Sequence, residues 1–98
     1  MTPRLVFRPQ AEAELLEARG WYESQRAGLG QTFTETVDQA LASIVADPLA
    51  HPRLHGETRR AVVRRFPYAI YFRVMDEELV VLGVMHGRRQ PQLWRDRR

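Results

Sequence analysis

The residues of this chain that are best suited to chemistry lie in its second half, around its last histidine. His86 is followed by Gly87, Arg88 and Arg89. Histidine is the side chain type that titrates nearest to neutral pH, so His86 could act as a general acid or base on a bound ribose phosphate. The arginines could hold that phosphate, because a guanidinium stays protonated and binds such anions bidentately. The alternative is structural, with His86 only capping the end of a strand.

Two upstream pairs of residues extend this candidate site. Tyr71 and Arg73 are two residues apart, which places them on one face of a strand, where an aromatic ring beside a guanidinium could stack a nucleobase. Such a pair is more often ordinary sheet packing, with the arginine stem lying along the sheet and its charged end in solvent. The adjacent Arg64 and Arg65 would point to opposite faces of a strand. With Arg73 they could clamp a phosphate or carboxylate, or they could only protect the sheet edge from aggregation.

A tryptophan interrupts the polar, arginine-rich segment near the end of the sequence. Trp94 follows Leu93 and precedes Arg95. A tryptophan in such a setting either folds back onto the domain as an anchor or inserts into a partner.

No metal or cofactor is expected. The sequence has no cysteine, which excludes disulfides and thiolate ligands. His51 and His55 are four residues apart, but they fall in a predicted loop, where no helix would present them together. The sequence also contains no phosphate-binding loop and no nucleophile elbow.

The charge is unevenly distributed along the chain. All 15 basic residues are arginine, and the net charge is +3. Residues 1–58 carry five arginines and eight acidic residues, whereas residues 59–98 carry ten arginines and four acidic residues. The second half therefore has a charge of +6, which indicates an anionic partner such as nucleic acid or an acidic protein segment, unless the arginines only solubilise a sheet.

Hydrophobic periodicity predicts the elements that position these residues. A short strand at Arg4–Phe7 precedes a helix from Pro9 to about Gln25 and, after a glycine-rich turn, a second helix that ends at about Ala46. The stripes that would form the core are Ala11, Leu15, Ala18 and Tyr22 on the first helix, and Leu29, Phe33, Val37, Ala40, Leu41, Ile44 and Val45 on the second. Residues 48–58 are predicted as loop.

Three strands are predicted after this loop, at Arg60–Phe66, Tyr68–Val74 and Glu78–His86. The result is an α+β fold in the order β-α-α-β-β-β, with a helix hairpin packed on one face of a small, mainly antiparallel sheet. The last strand is apolar on both faces, although the hairpin can cover only one of them. The other face must stay partly exposed or be covered by something else, which indicates a partner site.

Length and composition indicate one domain spanning residues 1–98. Hydrophobic residues make up 44% and charged residues 28%, as in folded domains. The longest apolar stretch is far too short to span a bilayer, and no signal segment is recognisable at the N-terminus. We therefore expect a cytoplasmic protein that does not bind membranes.

The chain resembles the RelE/ParE superfamily of toxins from bacterial type II toxin–antitoxin modules. The resemblance covers nearly the whole chain and is closer to the ParE branch, known as plasmid stabilisation proteins. It depends on the order of short segments at 21–23 (Trp-Tyr-Glu), 28–33 (Gly-Leu-Gly-Gln-Thr-Phe), 64–74 and 80–89, followed by Trp94.

This resemblance implies a toxin that is neutralised by a small cognate antitoxin. The antitoxin would bind the operator DNA, so the toxin would be linked to that DNA only indirectly. ParE-branch toxins inhibit DNA gyrase, whereas RelE-branch toxins cut mRNA in the ribosomal A site. RelE-like enzymes use lysines and a late tyrosine, but this chain has no lysine and no tyrosine after Tyr71. We therefore favour growth arrest by inhibition of gyrase or a related topoisomerase.

Two alternatives remain open at this point. The first is a ribosome-dependent mRNA endonuclease, with His86, Arg65, Arg73 and Arg88 as its catalytic residues. The second is a non-toxic nucleic-acid-binding domain. In the favoured interpretation, the residues predicted to bind the target or the antitoxin are Arg64, Arg65, Tyr71, Arg73, His86, Arg88, Arg89 and Trp94.

Overall fold

The computed structural model of the chain describes residues 3–87 and 93–98. The helices and strands in these ranges are, in order, β1 (Arg4–Phe7), α1 (Pro9–Gln25), α2 (Leu29–Ala46), a single 3₁₀ turn (Pro48–Ala50), β2 (Arg53–His55), β3 (Thr58–Val62), β4 (Tyr68–Met75) and β5 (Glu78–His86).

The five strands form one sheet in the order β1-β5-β4-β3-β2. Strand β1 pairs in parallel with β5, and the other neighbours are antiparallel. Both helices pack on one face of this sheet. The predicted α+β fold is therefore confirmed, with one strand more than expected.

Local sequence explains where each helix begins. Pro9 is the first residue of α1, a position where the missing proline N–H costs nothing. Gly28 precedes α2 with φ of 89°, a left-handed conformation that favours glycine. Neither helix, nor any other within the described ranges, is both long and apolar enough to cross a bilayer.

The core between the hairpin and the sheet confirms both predicted stripes. Phe33, Val37 and Ile44 of α2 are fully buried, as is Ala11 of α1. An aromatic cluster closes one end of this core, where the Tyr22 ring lies 5.1 Å from that of Phe33. The remaining members of the two stripes are buried or packed against the same core: Leu15, Ala18, Leu29, Ala40, Leu41 and Val45.

The segment before β4 differs from its prediction. Strand β3 ends at Val62 rather than Phe66, because Val63 donates a backbone hydrogen bond to Tyr68 and a turn begins there. Arg65 has φ of 69°, which no strand residue adopts. The prediction of residues 48–58 as loop is also wrong in part, since Arg53–His55 forms the short edge strand β2.

Part of the second face of the sheet is covered by the chain itself. Trp94 folds back against Ala69, Tyr71 and Met85, and all four side chains are buried. Of the two roles considered for Trp94, the structure shows the one in which it folds back onto the domain. The second face is nevertheless partly exposed, as expected, because Val62, which pairs with Ala69, is 68% exposed.

Candidate functional site

Part of the exposed apolar surface of the domain lies on the solvent side of α1. The side chain of Leu16 is 60% exposed and that of Trp21 is 57% exposed. Five positions separate these two residues, so they lie about 140° apart around the helix. Gly20 precedes Trp21, and nothing comes within 4 Å of the position its Cβ would take. The solvent side of α1 therefore carries two separate exposed apolar side chains, and a partner can approach the helix closely at Gly20.

A groove of about 490 Å³ separates this helix from the end of β5. The side of the groove formed by α1 includes Glu17, Trp21 and Tyr22, and the side formed by the sheet includes Tyr68, Val84 and His86. The groove thus combines an exposed indole with an acidic and an imidazole side chain.

His86, the candidate base, lies in this groove as the last residue of β5. Its ring is 5.7 Å from that of Tyr68, its neighbour across the sheet, in an edge-on arrangement. Burial raises the pKa of the adjacent Tyr22 above its ordinary value of 10.0, and Tyr68 adds to this shift. Tyr22 therefore remains a neutral phenol at physiological pH.

Arg64 and Arg65 occupy the turn between β3 and β4 rather than a strand, and both are exposed. Arg64 borders a smaller groove, of about 350 Å³, whose opposite wall is α2. The two side chains are consequently not on opposite faces of a strand, as the sequence suggested.

Arg73 lies far from this turn. It pairs with Val80 across the sheet, and its Nε donates to the Thr58 hydroxyl oxygen at 3.3 Å. His86 pairs with Tyr68 at the other end of β4. The six residue steps along β5 from Val80 to His86 correspond to about 20 Å of strand. The predicted clamp of Arg64, Arg65 and Arg73 is therefore not assembled in this structure.

The ring face of Tyr71 is occupied. Trp94 stacks on it with ring centroids 4.9 Å apart and planes inclined by 16°. Arg73 lies two residues further along β4, and Arg60 pairs with Tyr71 across the sheet. A nucleobase could use this platform only if Trp94 left it.

The remaining predicted residues give no assembled site. Arg88 and Arg89 lie outside the described residues. His51 lies against Phe72, with ring centroids 5.7 Å apart, whereas His55 ends the exposed edge strand β2. No cluster of three or more potential metal ligands is found within residues 3–87 and 93–98.

Three charged residues that the sequence analysis did not select make specific contacts. Glu23 accepts hydrogen bonds from the backbone N–H groups of Gly28 and Gly30, which lowers its pKa from an ordinary value of 4.5. Glu14 accepts from Arg97 at 2.8 Å. The spacing of Glu23 before a glycine pair was a usable signal, but no local pattern connects Glu14 with Arg97.

Comparisons with known proteins agree with this architecture. Residues 5–91 match a family model described as the ParE toxin of the type II toxin–antitoxin system, parDE. Toxin ParE2 of two Mycobacterium tuberculosis strains, CDC 1551 / Oshkosh and H37Rv, is 29% identical over 92 residues, which are 93% of this chain and 88% of the relative.

A solved structure supports the fold. A chain of the chromosomal ParDE toxin–antitoxin system from P. aeruginosa superposes with a TM-score of 0.77 at 16% identity. The match covers 87% of this chain and 96% of that one. Because the family model spans most of the described residues, we conclude that this chain belongs to the ParE toxin family of type II toxin–antitoxin systems.

Proposed function

We propose that this ParE-family toxin arrests growth by binding DNA gyrase, or a related type II topoisomerase, without catalysing a reaction of its own. The observation that carries the proposal is the separation of the candidate catalytic residues. His86 and Arg73 lie near opposite ends of β4, about 20 Å apart along the strands.

This separation counts against the mRNA endonuclease. A general base must lie within about 3 Å of the proton it removes, and the cations that stabilise the transition state must surround the same phosphate. His86 and Arg65 lie near the same end of the sheet, but Arg73 is at the other end. A binding protein has no such requirement, because separate arginines can contact separate points of a large partner.

A supercoiling assay with purified gyrase tests this proposal. We expect the full chain to inhibit supercoiling at micromolar concentration or below and to leave cleaved DNA. Gyrase of the organism that encodes the chain is the appropriate target, and a heat-denatured sample is the control. Inhibition by the His86→Ala variant should equal that of the wild type if no acid–base step is involved.

Translating ribosomes provide the opposing test. Cleavage of A-site codons that the His86→Ala variant abolishes would overturn the proposal in favour of the endonuclease. Tight, salt-sensitive binding to free duplex DNA, without growth arrest on expression, would instead indicate the non-toxic nucleic-acid-binding domain.

We also propose that a cognate antitoxin neutralises this toxin by covering the outer face of α1 and the adjoining groove. The exposed Leu16 and Trp21 support this location, because a large exposed aromatic beside a groove is the usual anchor point of a protein interface. The partner would supply an amphipathic helix or an added strand. Co-expression with the neighbouring small reading frame should restore growth and yield a co-purifying complex; failure of both would contradict the proposal.

A further inference from the structure

Residues 93–98 contact the sheet beside an irregularity in the pairing of β4 with β5. Strand β1 pairs with β5 from Glu78 to Val81, and the backbone of Arg8 then donates to the Val81 carbonyl. Beyond Val81, the register of β5 against β4 shifts at a bulge that contains Leu82. Because a bulge reverses which backbone groups face outward, the Leu82 carbonyl and the Val84 N–H point away from β4.

Side chains take the place of a neighbouring strand at these two groups. The Val84 N–H donates to Oε1 of Glu14 at 3.1 Å, and the Leu82 carbonyl accepts from Arg97 at 3.1 Å. Arg97 and Glu14 are themselves joined at 2.8 Å, with side chains only 19% and 24% exposed. This three-way contact occupies the backbone groups to which an added strand would bond.

The same C-terminal segment is held at two further points. Trp94 stacks on Tyr71, and the Arg8 Nε donates to the backbone oxygen of Arg98 at 2.8 Å. A Cβ at Gly83 would lie 2.9 Å from a terminal nitrogen of Arg97 and 2.6 Å from Cε of Met85, so the ends of both side chains would have to shift.

These contacts are separate from the main core. Ala69, Tyr71, Met85 and Trp94 form a cluster of their own on the side of the sheet away from the helices. Residues 94–97 form a turn rather than a strand or helix, so no backbone ladder ties them to the sheet. Segments held by a few side-chain contacts open at lower free energy than the strands beneath them.

We propose that residues 93–98 form a strap that opens independently of the core and, when closed, blocks the addition of a strand to the bulged edge of β5. Opening the strap exposes the Leu82 carbonyl and the ring of Tyr71, and it removes the arginine that holds Glu14 against the Val84 N–H. The closed strap and an added strand are mutually exclusive, since Arg97 occupies the Leu82 carbonyl that the added strand would need. This device does not depend on the identity of the toxin's target.

Native-state amide exchange on the free full-length chain, followed by NMR, tests the proposal. The amide of Val84 reports on the strap, because it is bonded to the Glu14 carboxylate that Arg97 holds. The amide of Ile70, a fully buried residue of β4, reports on the core. In the wild type, we expect the amide of Val84 to exchange faster than that of Ile70. The exchange rate of the Val84 amide should also not change when low concentrations of urea are added. Such behaviour identifies local opening rather than global unfolding.

Two arginine variants separate the strap from general destabilisation. Arg97→Ala should accelerate exchange at Val84 on the order of tenfold or more, because it removes charge-assisted hydrogen bonds. Exchange at Ile70 should change much less. The matched control is Arg95→Ala, which removes the same charge from an exposed position of the same segment and should leave both rates unchanged.

A fluorine label gives a second readout. The chain has two tryptophans, so 5-fluorotryptophan yields two resonances, and a Trp21→Phe sample assigns them. Arg97→Ala should shift the Trp94 resonance towards that of an exposed indole while leaving Trp21 in place. If Arg97→Ala does not fold, the conservative Glu14→Gln takes its place, with a smaller acceleration expected at Val84.

The proposal is overturned if, in the wild type, amide exchange gives the same opening free energy and the same urea dependence for Val84 and Ile70. It is also overturned if Arg97→Ala accelerates both amides equally, since the C-terminal segment would then be an ordinary part of the cooperative core. Neither result would bear on gyrase inhibition, which is measured separately.

Discussion

The Oε1 atom of Glu23, near the end of α1, lies 3.0 Å from the backbone nitrogen of Gly30, in the first turn of α2. Its other oxygen lies 3.0 Å from the nitrogen of Gly28. One carboxylate thus caps the second helix from the end of the first and fixes the turn between them. This contact explains why a glutamate precedes a pair of glycines at this spacing.

The pH dependence of stability should reveal this contact. The hydrogen bonds to Gly28 and Gly30 lower the pKa of Glu23 from 4.5, so the folded state favours the charged form. The resulting stabilisation is complete above the unfolded-state pKa and is lost as the pH falls through the folded-state value. We expect Glu23→Gln to melt at a lower temperature than the wild type at pH 7.

The difference between the two melting temperatures should narrow below about pH 4.5, because the wild-type carboxyl then becomes protonated as well. Thermal unfolding followed by circular dichroism from pH 7 to pH 3 measures this difference. A gap that stays constant over the whole range would show that the charge of Glu23 is not involved.

Substituting alanine for each of two glycines in the helix hairpin should change the free energy of unfolding in opposite directions. At Gly30, a Cβ would lie 2.8 Å from the backbone oxygen of Arg19, so the helices would have to move apart. We expect Gly30→Ala to destabilise the fold by about 1–3 kcal/mol. Gly20 has open space around it, and Gly20→Ala should stabilise α1 by about 0.5–1 kcal/mol. Urea unfolding of both variants measures these changes, and equal effects would contradict the prediction.

Removal of the Trp94 indole from the second face of the sheet should destabilise the fold. Trp94 is 6% exposed and stacked on Tyr71, so Trp94→Ala should lower the free energy of unfolding by about 3 kcal/mol. The neighbouring Leu93 is 42% exposed, and Leu93→Ala is the control, with a loss of about 0.5 kcal/mol or less. Urea unfolding distinguishes the two, and similar losses would mean that the indole does not anchor the segment.

The affinity of α1 variants for the antitoxin tests whether the outer face of α1 is the antitoxin-binding surface. Truncation of Trp21 should weaken the complex by about 2 kcal/mol or more, roughly thirtyfold in Kd, if this indole is an interface anchor. Leu49→Ala removes a comparably exposed apolar side chain, 67% exposed, from the 3₁₀ turn and should not affect binding. Isothermal titration calorimetry with the purified antitoxin measures both. Unaltered affinity of Trp21→Ala would exclude this surface.

Local sequence predicted most of the secondary structure because periodicity and helix-ending residues are local signals. The bounds of α1 match the prediction, and α2 ends at Ala46 as expected. Strand β2 was missed because its three exposed residues carry no alternation. The early end of β3 was missed because the left-handed conformation of Arg65 is imposed by the turn and is rare for arginine.

The candidate site was less predictable because its contacts are distant in sequence. The stacking of Trp94 on Tyr71 and the pairing of Arg97 with Glu14 join residues far apart in the chain. Alternation placed Tyr71 and Arg73 together on one face of a strand, but it could not show that Trp94 covers Tyr71 on that face. The register of the sheet, which separates Arg73 from His86, also depends on long-range pairing.

The parallel pairing of β1 with β5 has a consequence for how the toxin is made. Arg4 is paired with Glu78, so the first strand has no neighbour in the sheet until the last one has been synthesised. Contacts this distant in sequence slow folding, because the intervening chain must lose its freedom first. We therefore expect β1 to join the sheet only after β5 has been synthesised, so the complete five-stranded sheet forms after translation has passed residue 86.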